Sequence, residues 1–222
     1  MSWIEYIIAF AAFFVSHAVP VRPPLRPWLV ARVGERGFTL FYSLVSLCVL
    51  AWLVLAAGRA PHVTLWDYEP WQNLVPLAAM LLVCVIVALA IGRPNPFSFG
   101  GANNGSFDPE RPGLVRWMRH PLLVALAFWA LAHLVPNGDL AHVLLFGVFA
   151  VFAFVGQRLV DRRRQRELGA HWDRLRLAVS QALRSSPPLG TSGFVLRIAA
   201  GLLLYAVLLL LHPFLFGVDP LP

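Results

Sequence analysis

The 222-residue chain has no lysine, only two cysteines and little charge: charged residues make up 13% of it, hydrophobic residues 59%. Scarce charge excludes a sizeable soluble domain, because a water-facing surface needs many more polar side chains than this chain has. Cys48 and Cys84 lie inside separate apolar runs, far from any CxxC spacing, so no disulfide framework is implied. Such thiols act as small hydrophobes, with thiolate ligation of a cofactor as the alternative. Without lysine, all 18 basic residues are arginine. Together with abundant Ala and Leu, this is the compositional mark of a GC-rich bacterial genome.

What the chain does have is long apolar runs. Six candidate spans cover residues 3–20, 38–57, 74–92, 121–135, 140–160 and 195–211. Most of them reach or approach the roughly 20 residues needed to cross a hydrocarbon core about 30 Å thick. The expected fold is an all-α, polytopic membrane bundle of about six helices, forming one domain over residues 1–222. The first run carries Glu5 and no preceding basic residue, and Arg22 and Arg26 follow it, which is the charge order of a retained anchor rather than a cleaved leader. The arginines gather at 22–36, 93–119 and 158–197, and only Arg59 falls in the alternate loops. With six spans these three segments share one side. The positive-inside bias makes that side the cytoplasm and places both termini outside, in a bacterial inner membrane. The net charge of +7 therefore reflects topology and anionic lipid headgroups, not nucleic acid.

This topology sorts the seven histidines by depth. His17 ends the first span and His120 opens the fourth, both at the inner edge, whereas His133 lies about 20 Å further along the same helix. Two histidines at one depth on different helices can ligate a haem iron from opposite faces, and Arg22, Arg116 and Arg119 stand at the same edge as partners for propionates. Alternatively, each ring simply donates to a carbonyl or water at a helix end. His133 and His142 flank the turn Pro136-Asn137-Gly138-Asp139, and with Asp139 they form a second candidate metal set. The structural alternative is a polar lid over a helical hairpin, with Asp139 capping the fifth span. His62 and His212 fall on the outer side, and His171 in a solvated inner loop.

Residues 93–101 and 107–113 are too rich in Pro and Gly for continuous helix, and they predict a loop over the inner mouth that covers a ligand or joins two spans. Trp172, Leu175, Leu177, Val179 and Leu183 among arginines predict an amphipathic helix clamped to the inner membrane surface, ended by residues 185–190.

Several motifs together resemble the NnrU family of bacterial membrane proteins over nearly the whole chain. They are Ser16-His17-Ala18-Val19-Pro20 with Arg22, Tyr42-Ser43 with Ser46, Ala57-Gly58-Arg59-Ala60-Pro61, Pro94-Asn95-Pro96, Arg119-His120-Pro121, and Ala132-His133-Leu134-Val135-Pro136-Asn137-Gly138-Asp139. The resemblance implies a role in nitrite and nitric oxide metabolism, with components of the nitrite or nitric oxide reductases as partners. NnrU-like proteins in turn resemble the plastid enzyme 15-cis-zeta-carotene isomerase, which implies haem b on His17 and His120 and leaves sensing, electron transfer and isomerisation open. A second resemblance, over the C-terminal half, is to membrane methyltransferases of the isoprenylcysteine carboxyl methyltransferase type. It is carried by Pro112-Gly113, Arg119-His120-Pro121 and Leu168-Gly169 with Trp172, and implies S-adenosylmethionine as cofactor. The match departs at Val115 and Leu123, where aromatic residues are expected, and at Asp161-Arg162-Arg163-Arg164, where paired acids are expected and arginines oppose a cationic sulfonium. A transporter or assembly factor without chemistry of its own is the remaining class.

Overall fold

A computed structural model describes residues 3–185 and 191–222. It is helical throughout, with seven α-helices among the described residues: α1 (Trp3–Ala18), α2 (Leu25–Arg59), α3 (Leu74–Ala90), α4 (Pro121–Leu134), α5 (Leu140–Leu168), α6 (Ala170–Ser185) and α7 (Thr191–Phe216). Four stretches are long and apolar enough to cross a bilayer: Leu25–Arg59, Pro70–Ala90, Leu140–Leu168 and Gly193–Phe216. The expected first and fourth spans are the shorter apolar helices Trp3–Ala18 and Pro121–Leu134. Large apolar side chains stay outward along these helices, such as Leu203, Leu210 and Ile4, each about two-thirds exposed or more. Such a surface has lipid as its solvent, and the chain is an all-α membrane protein.

The chain divides into two compact units. The first comprises Met1–Asp67 and Gly138–Leu145. Tyr6, Ala9 and Phe13 recur at helical spacing and make the buried stripe of α1, which packs against α2. The Tyr6 hydroxyl donates to the Ala141 carbonyl at 2.6 Å. Helix α2 begins well before the expected apolar span because the arginine-bearing residues 25–37 are helical too. A kink at Gly34, with φ 73° and ψ 166°, falls within that prefix, shortly before the apolar part; a side chain is disfavoured in this conformation. Beyond α2, Thr64 bridges Asp139, and the amides of Leu65 and Leu140 bond the carbonyls of Gly138 and Val63.

The second unit comprises Tyr68–Asn137 and Phe146–Pro222. Helix α3 packs on both α4 and α7. Val83, Ile86 and Ala125 form the α3–α4 contact, with Met80, Leu114, Met118 and Trp129 around them. Against α7 the approach is closer still: a Cβ on Gly201 would lie 2.9 Å from the Val85 Cα, so only hydrogen fits there. Arg197 of α7 donates to the Ala88 and Ile91 carbonyls at 2.7 and 2.9 Å, satisfying acceptors that the end of α3 leaves open.

Helices α4 and α5 run antiparallel, and their register can be read from the contacts. His133 meets the Phe146 ring, Trp129 meets Phe149, Leu123 faces Gly156, and His120 reaches Asp161. As one residue number falls the other rises. Helix α5 runs past residue 160, the expected end of its span, because its arginine-rich end stays helical and is supported by the Arg163–Glu167 pair at i,i+4.

Helix α6 departs from expectation. Its apolar face does not lie on a membrane surface: Trp172, Leu175 and Val179 are buried against Phe97 and Val115 of the loop that precedes α4. The Trp172 and Phe97 rings meet edge-on at 5.3 Å. Leu177 points outward and is exposed. The amphipathic pattern finds its apolar partner within the protein. The Leu183 side chain and the break at 186–190 lie outside the described residues.

Candidate functional site

A buried polar cluster of the second unit forms where the 91–120 loop enters α4. Gly113–Arg116 makes a short 3-10 turn, and His120 then stands at the N-cap of α4 with Pro121 at the first helical position. Pro121 has no N–H, so the first helical position of α4 leaves no donor to be satisfied. Because His120 leaves the helix path at φ −118°, ψ 64°, its ring points inward rather than along the helix surface. It is 3% exposed.

Both ring nitrogens are engaged. Nε2 lies 2.9 Å from Asp161 Oδ1, and Nδ1 lies 3.0 Å from Ser98 Oγ. Arg119 completes the group from the other side, its Nη2 donating to Asp161 Oδ2 at 2.8 Å and its Nε to Oδ1 at 3.4 Å. A carboxylate facing a guanidinium stays anionic and only accepts, so Nε2 carries the ring proton and Nδ1 is the acceptor. The Ser98 hydroxyl then donates to Nδ1. Burial pushes the His120 imidazole below its ordinary pKa of 6.5, opposed by the hydrogen bond and charge of Asp161 and assisted by the charge of Arg119. The resting ring is neutral.

The loop is fixed by a second set of bonds. Asn95, itself buried, donates from Nδ2 to the Arg119 carbonyl at 2.9 Å and accepts the Phe97 amide on Oδ1 at 3.0 Å. Asn104 Oδ1 accepts the Asn95 amide at 2.9 Å. Gly101 fits between these strands of the loop, where a Cβ would meet the Arg93 carbonyl oxygen at 2.8 Å. Arg164 Nη2 donates to the Ser98 carbonyl at 3.0 Å, while Nη1 pairs with Glu167. Helix α6 holds the same loop from its apolar side through Phe97.

His17, in the first unit, is set differently. Its Nδ1 donates to the Phe13 carbonyl one turn earlier in α1 at 2.7 Å, with Ser16 Oγ at 3.3 Å. The ring stacks on Phe13 with centroids 4.1 Å apart, and Tyr42 stands edge-on at 6.0 Å. A proton fixed on Nδ1 leaves Nε2 as the acceptor, the form in which an imidazole binds a metal. Each of these two rings thus meets hydrogen-bond partners at a helix end, the alternative foreseen beside haem ligation. His17 belongs to the first unit and His120 to the second.

Of the arginines expected beside a propionate, Arg119 is committed to Asp161, Arg116 lies over the Trp117 ring at 5.3 Å, and Arg22 is exposed in the first unit. In the outer set, Asp139 caps α5, with Oδ1 accepting the Ala141 amide at 3.0 Å and Oδ2 the His142 amide at 3.4 Å; its carboxylate also pairs with the His142 ring. Burial raises the Asp139 pKa, but the His142 ring and the Ala141 amide outweigh it and hold the carboxyl below its ordinary range. His133, in the second unit, donates from Nδ1 to the Trp129 carbonyl at 2.8 Å. Among the described residues, no three His, Cys, Asp or Glu side chains group as a metal site.

Sequence reasoning passed over Asp161, Ser98 and Asn95 as site residues. Asp161 carried a usable signal: it is an acid at the end of an apolar helix, on the side to which the topology assigned His120. Asn95 stood in the Pro94-Asn95-Pro96 motif without an assigned role, and Ser98 had no signal beyond its place in the loop.

The chain matches the NnrU protein family over residues 5–220 and belongs to that family. No curated protein and no solved structure matches it.

Proposed function

We propose that this NnrU-family chain is an integral protein of the bacterial inner membrane that holds haem b through His17 and serves nitrite or nitric oxide metabolism. The observation that carries this reading is the His17 ring: its Nδ1 proton is tied to the Phe13 carbonyl and its plane is held by stacking on Phe13, so Nε2 is the nitrogen presented to a metal. Arg22, five residues on and exposed, is a propionate partner within the same unit. His120 does not fit as it stands, because Asp161 and Ser98 occupy its two nitrogens, and iron at Nδ1 requires the Ser98 hydroxyl to turn away. When bound, haem supplies an iron that takes up nitric oxide or exchanges one electron. The protein's part is to fix the tautomer and aim of His17 and to keep the surroundings apolar. Components of the nitrite or nitric oxide reductases are the partners this reading implies; isomerisation of a polyene is the alternative use of the same cofactor.

The test is the absorption spectrum of the protein purified in detergent after expression with ample haem. A Soret band that shifts on reduction is expected. It should be lost in His17→Ala and retained in His120→Gln. Absence of haem from the wild type, or a band that survives His17→Ala and vanishes in His120→Gln, contradicts the reading. The methyltransferase alternative is tested on the same preparation by titration with S-adenosylmethionine.

A further inference from the structure

If His120 is not there to bind iron, its buried polar surroundings need another account. A structural plug requires only that each polar atom be satisfied. This arrangement does more, because it orders the groups by proton affinity: an anionic carboxylate clamped by Arg119, a neutral imidazole with its proton toward that carboxylate, and a hydroxyl donating to the imidazole's free lone pair. That sequence of acid, base and hydroxyl activates a serine for attack, recognised by geometry and roles rather than by chain order. The ring is turned so that Nδ1 rather than Nε2 faces the hydroxyl, which leaves the chemistry unchanged, since the base needs only its lone pair.

The surroundings point the same way. The residue after Ser98 is Phe99, whose amide makes no hydrogen bond among the described residues, and the amide following an attacking serine is a usual donor to an oxyanion. Phe99 is 46% exposed although Ser98 is 1% exposed, so the chain reaches the surface one residue beyond the buried serine. Asp161 stands about 30 Å along α5 from its first residue, which is about the thickness of a hydrocarbon core. The hydroxyl is therefore at the level where the acyl esters of membrane lipids meet the headgroup layer.

We propose that Ser98, His120 and Asp161 form an acyl-transfer site whose substrates are carboxylic esters with a lipid-like acyl chain. Ser98 Oγ attacks the ester carbonyl carbon while its proton passes to His120 Nδ1. The carbon–alkoxide bond then breaks, and the departing alkoxide takes that proton and leaves as the alcohol. Water attacks the acyl-serine in turn, gives a proton to Nδ1, and the carboxylic acid leaves as Ser98 recovers its hydrogen. Asp161 stabilises the imidazolium in both halves and keeps its own charge, and no redox partner is required.

The experiment is labelling of the full-length protein, in vesicles of phosphatidylglycerol and phosphatidylethanolamine, with a long-chain alkyl fluorophosphonate, followed by mass spectrometry of the modified peptide. The expected adduct is on Ser98. It should be absent in Ser98→Ala and form at least about 100-fold more slowly in His120→Gln and Asp161→Asn, the usual loss on removing a general base. The wild-type adduct is decisive even if a variant does not fold. No adduct on the folded wild type, an adduct on another residue, or labelling of Ser98 at the same rate in a folded His120→Gln protein overturns the proposal.

Discussion

His17 closes α1 in the first unit and His120 opens α4 in the second, and their imidazoles are held by different means. His17 donates to the carbonyl one turn back in its own helix and stacks on Phe13, so the local sequence suffices to set it. His120 is set by side chains distant in sequence, Ser98 from a loop and Asp161 from the far end of another helix. A locally held ring keeps one nitrogen for a ligand. A ring held on both sides has none spare, and becomes the middle of a proton path.

The comparison can be broken most severely at α6. Trp172 is 2% exposed and closes the apolar side of the loop bearing Ser98. Trp172→Ala should cost about 3–5 kcal/mol. Hydrogen exchange should then rise through residues 93–104 while α1 around His17 is unchanged. If both units loosen together, the two rings are not independently held.

Next in size is Asp161→Ala, which leaves Arg119 and the His120 proton without their shared acceptor. About 2–3 kcal/mol is expected, less than for a fully buried pair because Asp161 and Arg119 are partly exposed. His17→Ala should lower the unfolding midpoint in detergent by less, since it removes one helix-local bond and one stacked ring, about 1 kcal/mol. Equal losses in the two variants would erase the distinction.

Acid sharpens the contrast further. The folded protein holds His120 below its ordinary pKa of 6.5 through burial, so as pH falls through that value the unfolded chain takes up a proton that the folded one refuses. The unfolded state binds more protons there, and stability must fall with pH below about 6.5 and be flat, as regards this residue, above it. Thermal unfolding between pH 5 and 8 should show that slope in the wild type and a smaller one in His120→Gln. The smallest effect is expected at the Arg26–Glu35 pair, exposed on both sides at 3.1 Å, where Glu35→Gln should change stability by less than about 0.5 kcal/mol.

Much of this was legible from composition alone. The apolar runs located the helices, and the arginine segments marked one end of each. The Arg119-His120-Pro121 junction also stood out, because a histidine before a helix-opening proline is visible in one dimension. Its partner was not, because the meeting of residues 120 and 161 depends on the register of the α4–α5 pair, which is fixed by packing. Pairing residues outward from the Pro136–Asp139 turn puts Val155 opposite His120, six residues short of Asp161, so the turn alone does not give the register. Ser98 sits in irregular backbone with no periodicity to follow. The face of α6 shows a further limit: its pattern requires an apolar partner but does not say whether lipid or protein supplies it, and Phe97 and Val115 do.

The central claim is that His120 is a neutral base between Asp161 and Ser98 and not an iron ligand. Nitrogen-15 NMR of the histidine rings in the haem-replete protein near pH 7.5, with His120 assigned by its loss in His120→Gln, tests this most directly. The predicted spectrum has a protonated Nε2 and an unprotonated, hydrogen-bonded Nδ1, both unchanged by haem. A proton on Nδ1, or His120 resonances shifted and broadened by iron, would contradict it.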